Sequence, residues 1–564
     1  MSKRILVIGG VAGGASAAAR CRRLDENAEI IVFEKGPHPS FSNCALPYYL
    51  SREIPDSEKL LILTPEDFRT QFKIDMRVQN EVTQILPAEQ QVKVRNLETG
   101  EEYTEAYDEL IIATGANAVL PRAIEGIDGD NVFSLKNVVD VRAIDEFVRS
   151  HGKNVAVVGG GFIGLEVMEN LKLAGFEVTL IEGLDQVMTP LDYELAQILH
   201  KEISDQGVRL VLGDSVAKIR EHEVELASGE VIPADAVIMS VGVRPEVSLA
   251  QECGIELGEL GGIKVDQRYQ TSIPHIYAVG DVIDTHNFIT MKPTRLALAG
   301  PAQRQARACA DAIYGRSSNN TGVIGSSALR CFDYNVAVTG LNEKQCQAAG
   351  IDYQYSFVIP SDKVGIMPDA NPMFFKLLFH YPSGRILGAQ AVGKGAADKR
   401  IDVIATLIKM GGTLEDLKEL ELCYAPSYST AKDVTNIAAL VGLNLLYGDY
   451  EQVPMTQVRQ LVEDGAFILD VREESSYERG HIRGSKNIPL AQLRDRIDEI
   501  PRGVPVYLHC RSAQTSYFAL RVLRGQGFTN LKNIAGSFLA LSFYEYFNDK
   551  TTGREPIVTE YNFR

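Results

Sequence analysis

One pattern occurs twice in this 564-residue chain and constrains what its first half can fold into. An apolar strand at residues 4–8 runs into Gly9-Gly-Val-Ala-Gly-Gly14. An Ala-rich helix continues to about Leu24, and a second strand, Ile30–Phe33, ends on Glu34. The same order returns at 154–182, with strand Val155–Val158, turn Gly159-Gly-Gly161-Phe-Ile-Gly164, helix Leu165–Ala174 and strand Val178–Ile181 ending on Glu182. Strand, glycine turn, helix, strand and terminal acid make a βαβ dinucleotide unit, in which a pyrophosphate rests on the helix N-terminus. The chain is therefore predicted to be α/β, with two Rossmann-like dinucleotide folds.

The second turn satisfies the whole fingerprint. Gly159 permits the tight turn, Gly161 lets a pyrophosphate approach the backbone, and Gly164 lets helix and strand pack closely. Glu182 can accept from both hydroxyls of an adenosine ribose and would repel a 2′-phosphate, so NADH is favoured over NADPH. The first turn departs from the fingerprint, because Val11 stands where the central glycine belongs. Its remaining members, Gly9, Ala12, Gly13 and Gly14, together with Glu34, point to a dinucleotide of a different kind. Ala-Thr114-Gly115 and Tyr-Ala-Val-Gly-Asp281 flank the second fold. The first fold is thus read as interrupted, FAD as its ligand, and Asp281 as standing at a helix entrance.

The net charge of −17 argues against a general nucleic-acid binder, while leaving room for a local basic pocket. The sequence has no apolar run long enough for a membrane span, and the N-terminal strand is too short for a signal peptide, so the expected location is cytoplasmic. Eight cysteines (21, 44, 253, 309, 331, 346, 423 and 510) are scattered without a Cys-x-x-Cys pair. Six are expected to be inert, mostly buried thiols. Two stand apart. Cys44 lies among polar neighbours in Ser40-Phe-Ser-Asn43-Cys44. Cys510 ends an apolar run, Val506-Tyr-Leu-His-Cys510, before a loop that opens a helix. A cysteine within reach of a flavin, its pKa lowered, can attack a sulfur–sulfur bond or be released as thiolate.

Gly-Gly-Val-Ala-Gly-Gly, Ser-Phe-Ser-Asn-Cys-Ala-Leu-Pro-Tyr, Tyr-Ala-Val-Gly-Asp and Tyr424-Ala-Pro-Ser-Tyr-Ser-Thr-Ala-Lys432-Asp carry a resemblance. Residues 1 to about 440 resemble the pyridine nucleotide–disulfide oxidoreductases, and among them the coenzyme A disulfide reductases. The resemblance implies FAD, NAD(P)H, and an α+β dimerisation domain that makes a homodimer. It also implies one redox cysteine per subunit, here Cys44, that forms a mixed disulfide with a substrate thiol. Coenzyme A contacts carry over to Ser16, Arg20, Arg23, Ser40, Asn43, Lys73 and Lys432. Arg20 and Arg23 share a helix face that is either a phosphate site or a solvated basic surface. One departure concerns the family's Tyr-Tyr-Pro-Gly, which here reads Ile366-Met-Pro-Asp369, while Tyr424 remains as a catalytic candidate. Leaving groups of low pKa, such as persulfide sulfur, need a lost hydroxyl least.

Residues 453–548 resemble a single rhodanese domain, through Asp470-Val-Arg472, Gly480-His-Ile-Arg-Gly-Ser-Lys-Asn-Ile-Pro489 and His509-Cys510-Arg-Ser-Ala-Gln-Thr-Ser516. The resemblance implies an α/β unit whose loop holds Cys510 as thiolate or persulfide. The loop ends on Thr515-Ser516, which disfavours thiosulfate as donor. The expected domains are a discontinuous FAD domain (1–150 and 255–325), an NAD domain (151–254), a dimerisation domain (326–446) and the rhodanese domain (453–564), with 447–452 read as a linker.

These readings combine into an FAD-dependent, NADH-driven reductase of persulfide or polysulfide sulfur. Coenzyme A is a substrate or a tightly bound partner, and no metal, nucleic acid or membrane is expected. Rival readings are a coenzyme A disulfide reductase with an accessory sulfurtransferase, an NADH oxidase or peroxidase, and a redox-sensing module that binds a sulfur carrier.

Overall fold

The computed structural model describes residues 3–317 and 319–563; the ends of the expected first and last domains and residue 318 lie outside them. The chain divides into two compact units, one formed by residues up to 183 with 211–323, the other by 184–210 with 324 onward. Residues 184–210 fall inside the stretch expected for the NAD domain, yet they belong to the second unit.

In the first unit, Arg4–Ile8 lies parallel between Glu29–Glu34 and Glu109–Ile112. Ile276–Ala278 and Asp75–Val78 extend the sheet at either side, also in parallel. Strands covered on both faces read as continuous apolar runs, and Ile5, Leu6 and Val7 are wholly buried. Ile276–Ala278 follows the second nucleotide fold along the chain, so this sheet draws its strands from both sides of that fold. Helix Ala12–Leu24 packs on helix Ala299–Ile313 through small buried side chains, among them Ala17, Ala18, Ala306 and Ala310. In the second sheet, Asn154–Val158 lies parallel to Glu177–Glu182 and Ala236–Met239. Val132–Ser134 joins beyond Ala236–Met239, so a strand preceding the motif completes its sheet.

The second unit holds two sheets. One is antiparallel, in the order Ser327–Cys331, Tyr334–Gly340, Ile386–Gly393, Met373–His380, Tyr353–Val358, with helices Ala397–Met410 and Val434–Leu446 packed against it. The other is parallel, in the order Glu451–Val453, Leu531–Ile534, Val506–His509, Phe467–Asp470, Lys486–Asn487. Its first strand corrects the linker reading: Glu451 and Gln452 pair with Lys532 and Asn533, and Tyr450 is buried. Polar composition misleads there because an edge strand keeps side chains in solvent while its backbone pairs along one side only.

Helix Tyr193–Asp205 is fixed inside the second unit by a buried ion cluster. Lys376, wholly buried on the antiparallel sheet, meets Asp192 at 2.8 Å and also contacts Glu194 and Glu343. Its ammonium lies 4.3 Å from the Tyr355 ring centroid. A charge this deep persists only because opposite charges surround it.

Candidate functional site

Both glycine turns are shaped for a pyrophosphate. A Cβ on Gly164 would stand 1.8 Å from the Gly159 carbonyl oxygen, and one on Gly159, whose φ is +109°, would meet the Ser240 carbonyl oxygen at 2.5 Å. Only glycine permits that approach of helix to strand. Gly161 is different, since a Cβ there would meet no atom within 4 Å. The space above it is open where a phosphate would approach, and Ser240 Oγ nearby is buried with no hydrogen-bond partner. The first turn repeats the packing, with Gly14 tight against the Gly9 carbonyl. Each helix presents three N–H groups before its first intrahelical bond, which Ala15 and Leu165 donate to Val11 and Gly161.

The terminal acids are held by the turns themselves. Glu34 accepts from the Gly10 and Gly36 amides at 2.7 and 2.8 Å, and burial lifts its carboxyl above the usual range. Glu182 accepts from the Gly160 amide at 2.6 Å. Thr114 donates to the Glu246 carbonyl, and Gly115, at φ +71°, has open space around it. These donor and acceptor sets fit two dinucleotides. A group missed in sequence is Lys136, half-buried in the field of Asp281, Glu246, Asp140 and Glu34. Burial pushes its ammonium down, while the surrounding carboxylates favour its charged form. No glycine motif marks it; only the fold brings it to Asp281. Asp281 itself is not at a helix entrance. It sits in the turn after Ile276–Ala278, and the next helix, Ala299–Ile313, begins well beyond it.

Cys44 is exposed, in the short 3-10 turn Asn43–Ala45, and is a free thiol. Its loop is pinned from both nucleotide folds. The Ser40 N–H donates to the Gly10 carbonyl at 2.9 Å, with Ser40 held in the left-handed region at φ +44°. On the other side Ser51 donates to Asn170 of helix Phe162–Leu173 at 2.6 Å, and Arg52 pairs with Asp145 at 2.7 Å. The expectation of a lowered thiol pKa is corrected. Partial burial, then the carboxylates of Glu166 and Asp281, push Cys44 above its ordinary value. Sequence reading missed this because Glu166 and Asp281 are far from Cys44 along the chain.

Helix Ala12–Leu24 carries Ser16, half-buried, and Arg23, exposed. Arg20 is already engaged, its guanidinium Nε donating to Asp311 of helix Ala299–Ile313 at 2.9 Å. Lys73 forms an exposed ion pair with Glu26. Both basic groups therefore carry an acid partner before any anion arrives. Asn43 is exposed beside Cys44. Tyr424 and Lys432 belong to the second unit, on an exposed loop. Cys423, expected to be one of the inert thiols, is exposed there too. The loop joins helix Leu414–Lys418 to helix Val434–Leu446 without forming a regular element of its own. Cys21, Cys309, Cys331 and Cys346 are buried as expected.

Cys510 lies at the end of strand Val506–His509, 3% exposed, at the base of a 590 Å³ cleft lined by Arg472, Arg511, Thr515, Phe538 and Asn562. The loop is held from all sides. Cys510 N–H donates to Ser537 Oγ at 3.2 Å, Phe538 N–H to the Cys510 carbonyl at 3.1 Å and Leu539 N–H to the Arg511 carbonyl at 3.0 Å. Ala513 takes φ +73° at the entrance to helix Gln514–Gly525, and its carbonyl accepts from Asn533. Ser516 Oγ lies 3.5 Å from Cys510 Sγ and donates to the sulfur. Beneath the loop, Asp470 is wholly buried. Burial raises its carboxyl, but His509 and Arg472 outweigh that and hold it below the ordinary value.

Residues 3–306 match the family described as Pyridine nucleotide-disulphide oxidoreductase, residues 327–434 its dimerisation domain, and residues 455–542 a Rhodanese-like domain. The coenzyme A disulfide reductase of Staphylococcus epidermidis is 36% identical over 436 residues, covering 77% of this chain and 98% of that protein. Among solved structures, the reduced CoADR-RHD of Bacillus anthracis is 43% identical with a TM-score of 0.94, covering 96% of this chain and 98% of the other. An NAD-dependent persulfide reductase from A. fulgidus is 34% identical with a TM-score of 0.91, covering 95% and 99%.

Proposed function

Because the chain belongs to the pyridine nucleotide-disulphide oxidoreductases, we propose that this oxidoreductase uses NADH to reduce the sulfane sulfur of persulfides and polysulfides, releasing sulfide. One observation carries the reading. Cys44 is a solitary exposed thiol on a loop pinned from both dinucleotide folds, with no second cysteine to close a dithiol. A thiol so placed resolves a sulfur–sulfur bond by forming a mixed disulfide or persulfide with the substrate.

Gly9, Ala12, Gly13, Gly14, Glu34, Thr114, Gly115 and Asp281 would hold FAD, and Gly159, Gly161, Gly164 and Glu182 would hold NADH. Bound FAD supplies a two-electron carrier between nicotinamide and thiol. Cys44 attacks the substrate sulfur, and Glu166 and Asp281 disfavour its anion until positive charge or an electron-poor ring lies beside it. Overall, R–S–SH, NADH and a proton give R–SH, hydrogen sulfide and NAD⁺. Ser16, Arg20, Arg23, Ser40, Asn43, Lys73 and Lys432 would hold a coenzyme A carrier, and Tyr424 would donate to a leaving sulfur in the homodimer. In the rhodanese-like domain Cys510 would hold sulfur as a persulfide, and the shared chain raises the effective concentration of its cargo at Cys44. The similarity to the NAD-dependent persulfide reductase from A. fulgidus, which covers 95% of this chain, supports this reading.

The Staphylococcus epidermidis relative favours a second reading, in which coenzyme A disulfide is the substrate and the tail an accessory sulfurtransferase. Steady-state rates with coenzyme A disulfide and coenzyme A persulfide decide between them. Cys44→Ser should abolish NADH-dependent sulfide release while the protein keeps its flavin; near-normal sulfide release would sink the assignment of Cys44.

A further inference from the structure

The cleft over Cys510 holds more positive charge than a small inorganic donor requires, and that charge is spread out. Arg472 is spent on the scaffold: it pairs with Asp470, donates to the Gly480 carbonyl at 2.8 Å, and stacks its guanidinium 4.2 Å from the Phe538 ring centroid. Three further arginines line the cleft, Arg479, Arg494 and Arg511, against one carboxylate, Glu473. All three are exposed. Arg479 ends helix Glu474–Arg479 and donates only to Ser476 Oγ, and Arg494 follows the 3-10 turn Leu490–Gln492. Neither forms an ion pair among the described residues, whereas neighbouring Arg496 and Lys486 both pair with Glu499. In a chain with 74 acidic and 57 basic residues, cations left without a carboxylate at a cleft mouth are positioned for a ligand.

We infer that Arg479 and Arg494 are specificity-determining residues that make Cys510 accept sulfur from organic hydropersulfides whose carrier bears carboxylates or phosphates. Thiosulfate keeps its charge beside the sulfane sulfur, whereas a longer organic carrier can place separate anions on arginines from two segments of the cleft lining. A cleft of 590 Å³ is instead in the range that encloses an organic ligand. The step is a transfer without net oxidation. The Cys510 thiolate attacks the outer sulfur of R–S–SH, a new Cys510–S bond forms, the old S–S bond breaks, and R–S⁻ leaves with the bonding pair. The proton stays on the transferred sulfur, giving Cys510–S–SH. Guanidinium forks on the carrier's anions hold that outer sulfur over the thiol.

This inference rests on Cys510 being the sulfur-accepting thiol, so its test reads Cys510 and not NADH. The full-length protein is mixed with glutathione hydropersulfide, coenzyme A hydropersulfide, cysteamine hydropersulfide or thiosulfate. Gain of one sulfur atom on the Cys510 peptide is timed by mass spectrometry. Wild type should prefer the two anionic carriers to the cationic cysteamine carrier. In R479Q/R494Q that preference should fall about tenfold or more, and Arg479→Lys with Arg494→Lys should recover part of it. The larger loss, for glutathione or for coenzyme A, tells whether carboxylate or phosphate is the anion held. An unchanged preference in the double glutamine variant overturns the inference, as does thiosulfate outrunning both organic donors on the wild type. Absence of a Cys510 persulfide from every donor would instead overturn the sulfur-holding role of Cys510 itself.

Discussion

Gly161 and Gly164 lie three residues apart in one turn, and replacing each with alanine should have opposite kinds of consequence. At Gly164 the new methyl would stand 1.8 Å from the Gly159 carbonyl oxygen, far inside contact distance. The helix Phe162–Leu173 must then move off strand Asn154–Val158, and overpacking against fixed backbone costs about 3 kcal/mol or more. At Gly161 the methyl meets nothing within 4 Å, and the backbone, at φ −82° and ψ −170°, suits any residue. Losing glycine at an N-cap costs a few tenths to about 1 kcal/mol, and the stiffer unfolded chain returns a similar amount, so stability should change by less than about 0.5 kcal/mol. The methyl does, however, fill the space a pyrophosphate needs. NADH binding should weaken at least about tenfold, or about 1.4 kcal/mol. Urea midpoints report the first effect, and NADH titration by fluorescence the second. The reasoning fails if Gly161→Ala binds NADH like the wild type, or if it destabilises the protein as much as Gly164→Ala.

Because Cys44 sits above its ordinary value of 9.0, its alkylation by iodoacetamide should keep rising with pH beyond that point. Removing a neighbouring negative charge favours the thiolate, so Asp281→Asn should shift the profile to lower pH, read on the Cys44 peptide; a shift upward contradicts the charge assignment. Glu182→Gln removes the carboxylate that would face a 2′-phosphate and should raise kcat/KM for NADPH relative to NADH, and an unchanged ratio would release Glu182 from that role. Lys376→Met leaves the buried Asp192 and Glu194, and the half-buried Glu343, without their cation, and should destabilise the protein by about 3–5 kcal/mol in chemical denaturation. A loss below about 1 kcal/mol would mean that the carboxylates simply take up protons.

The family and the fold class were legible in the chain because their signals are local. Glycine turns, apolar strands and terminal acids are contiguous stretches whose spacing the backbone itself dictates. The double βαβ plan and the separateness of Cys44 and Cys510 could both be read from neighbours in sequence. What tertiary structure decided is the electrostatic surroundings of each thiol. Glu166 and Asp281 reach Cys44 from distant segments and reverse the expected direction of its pKa. Lys136 finds Asp281, and Asp311 takes up Arg20, only because separate strands and helices are packed together. The same holds for the cleft over Cys510, where Arg479, Arg494 and Arg511 come from three segments. Charge acts through space, at a range of several ångströms, and a sequence pattern records only the order in which residues are joined.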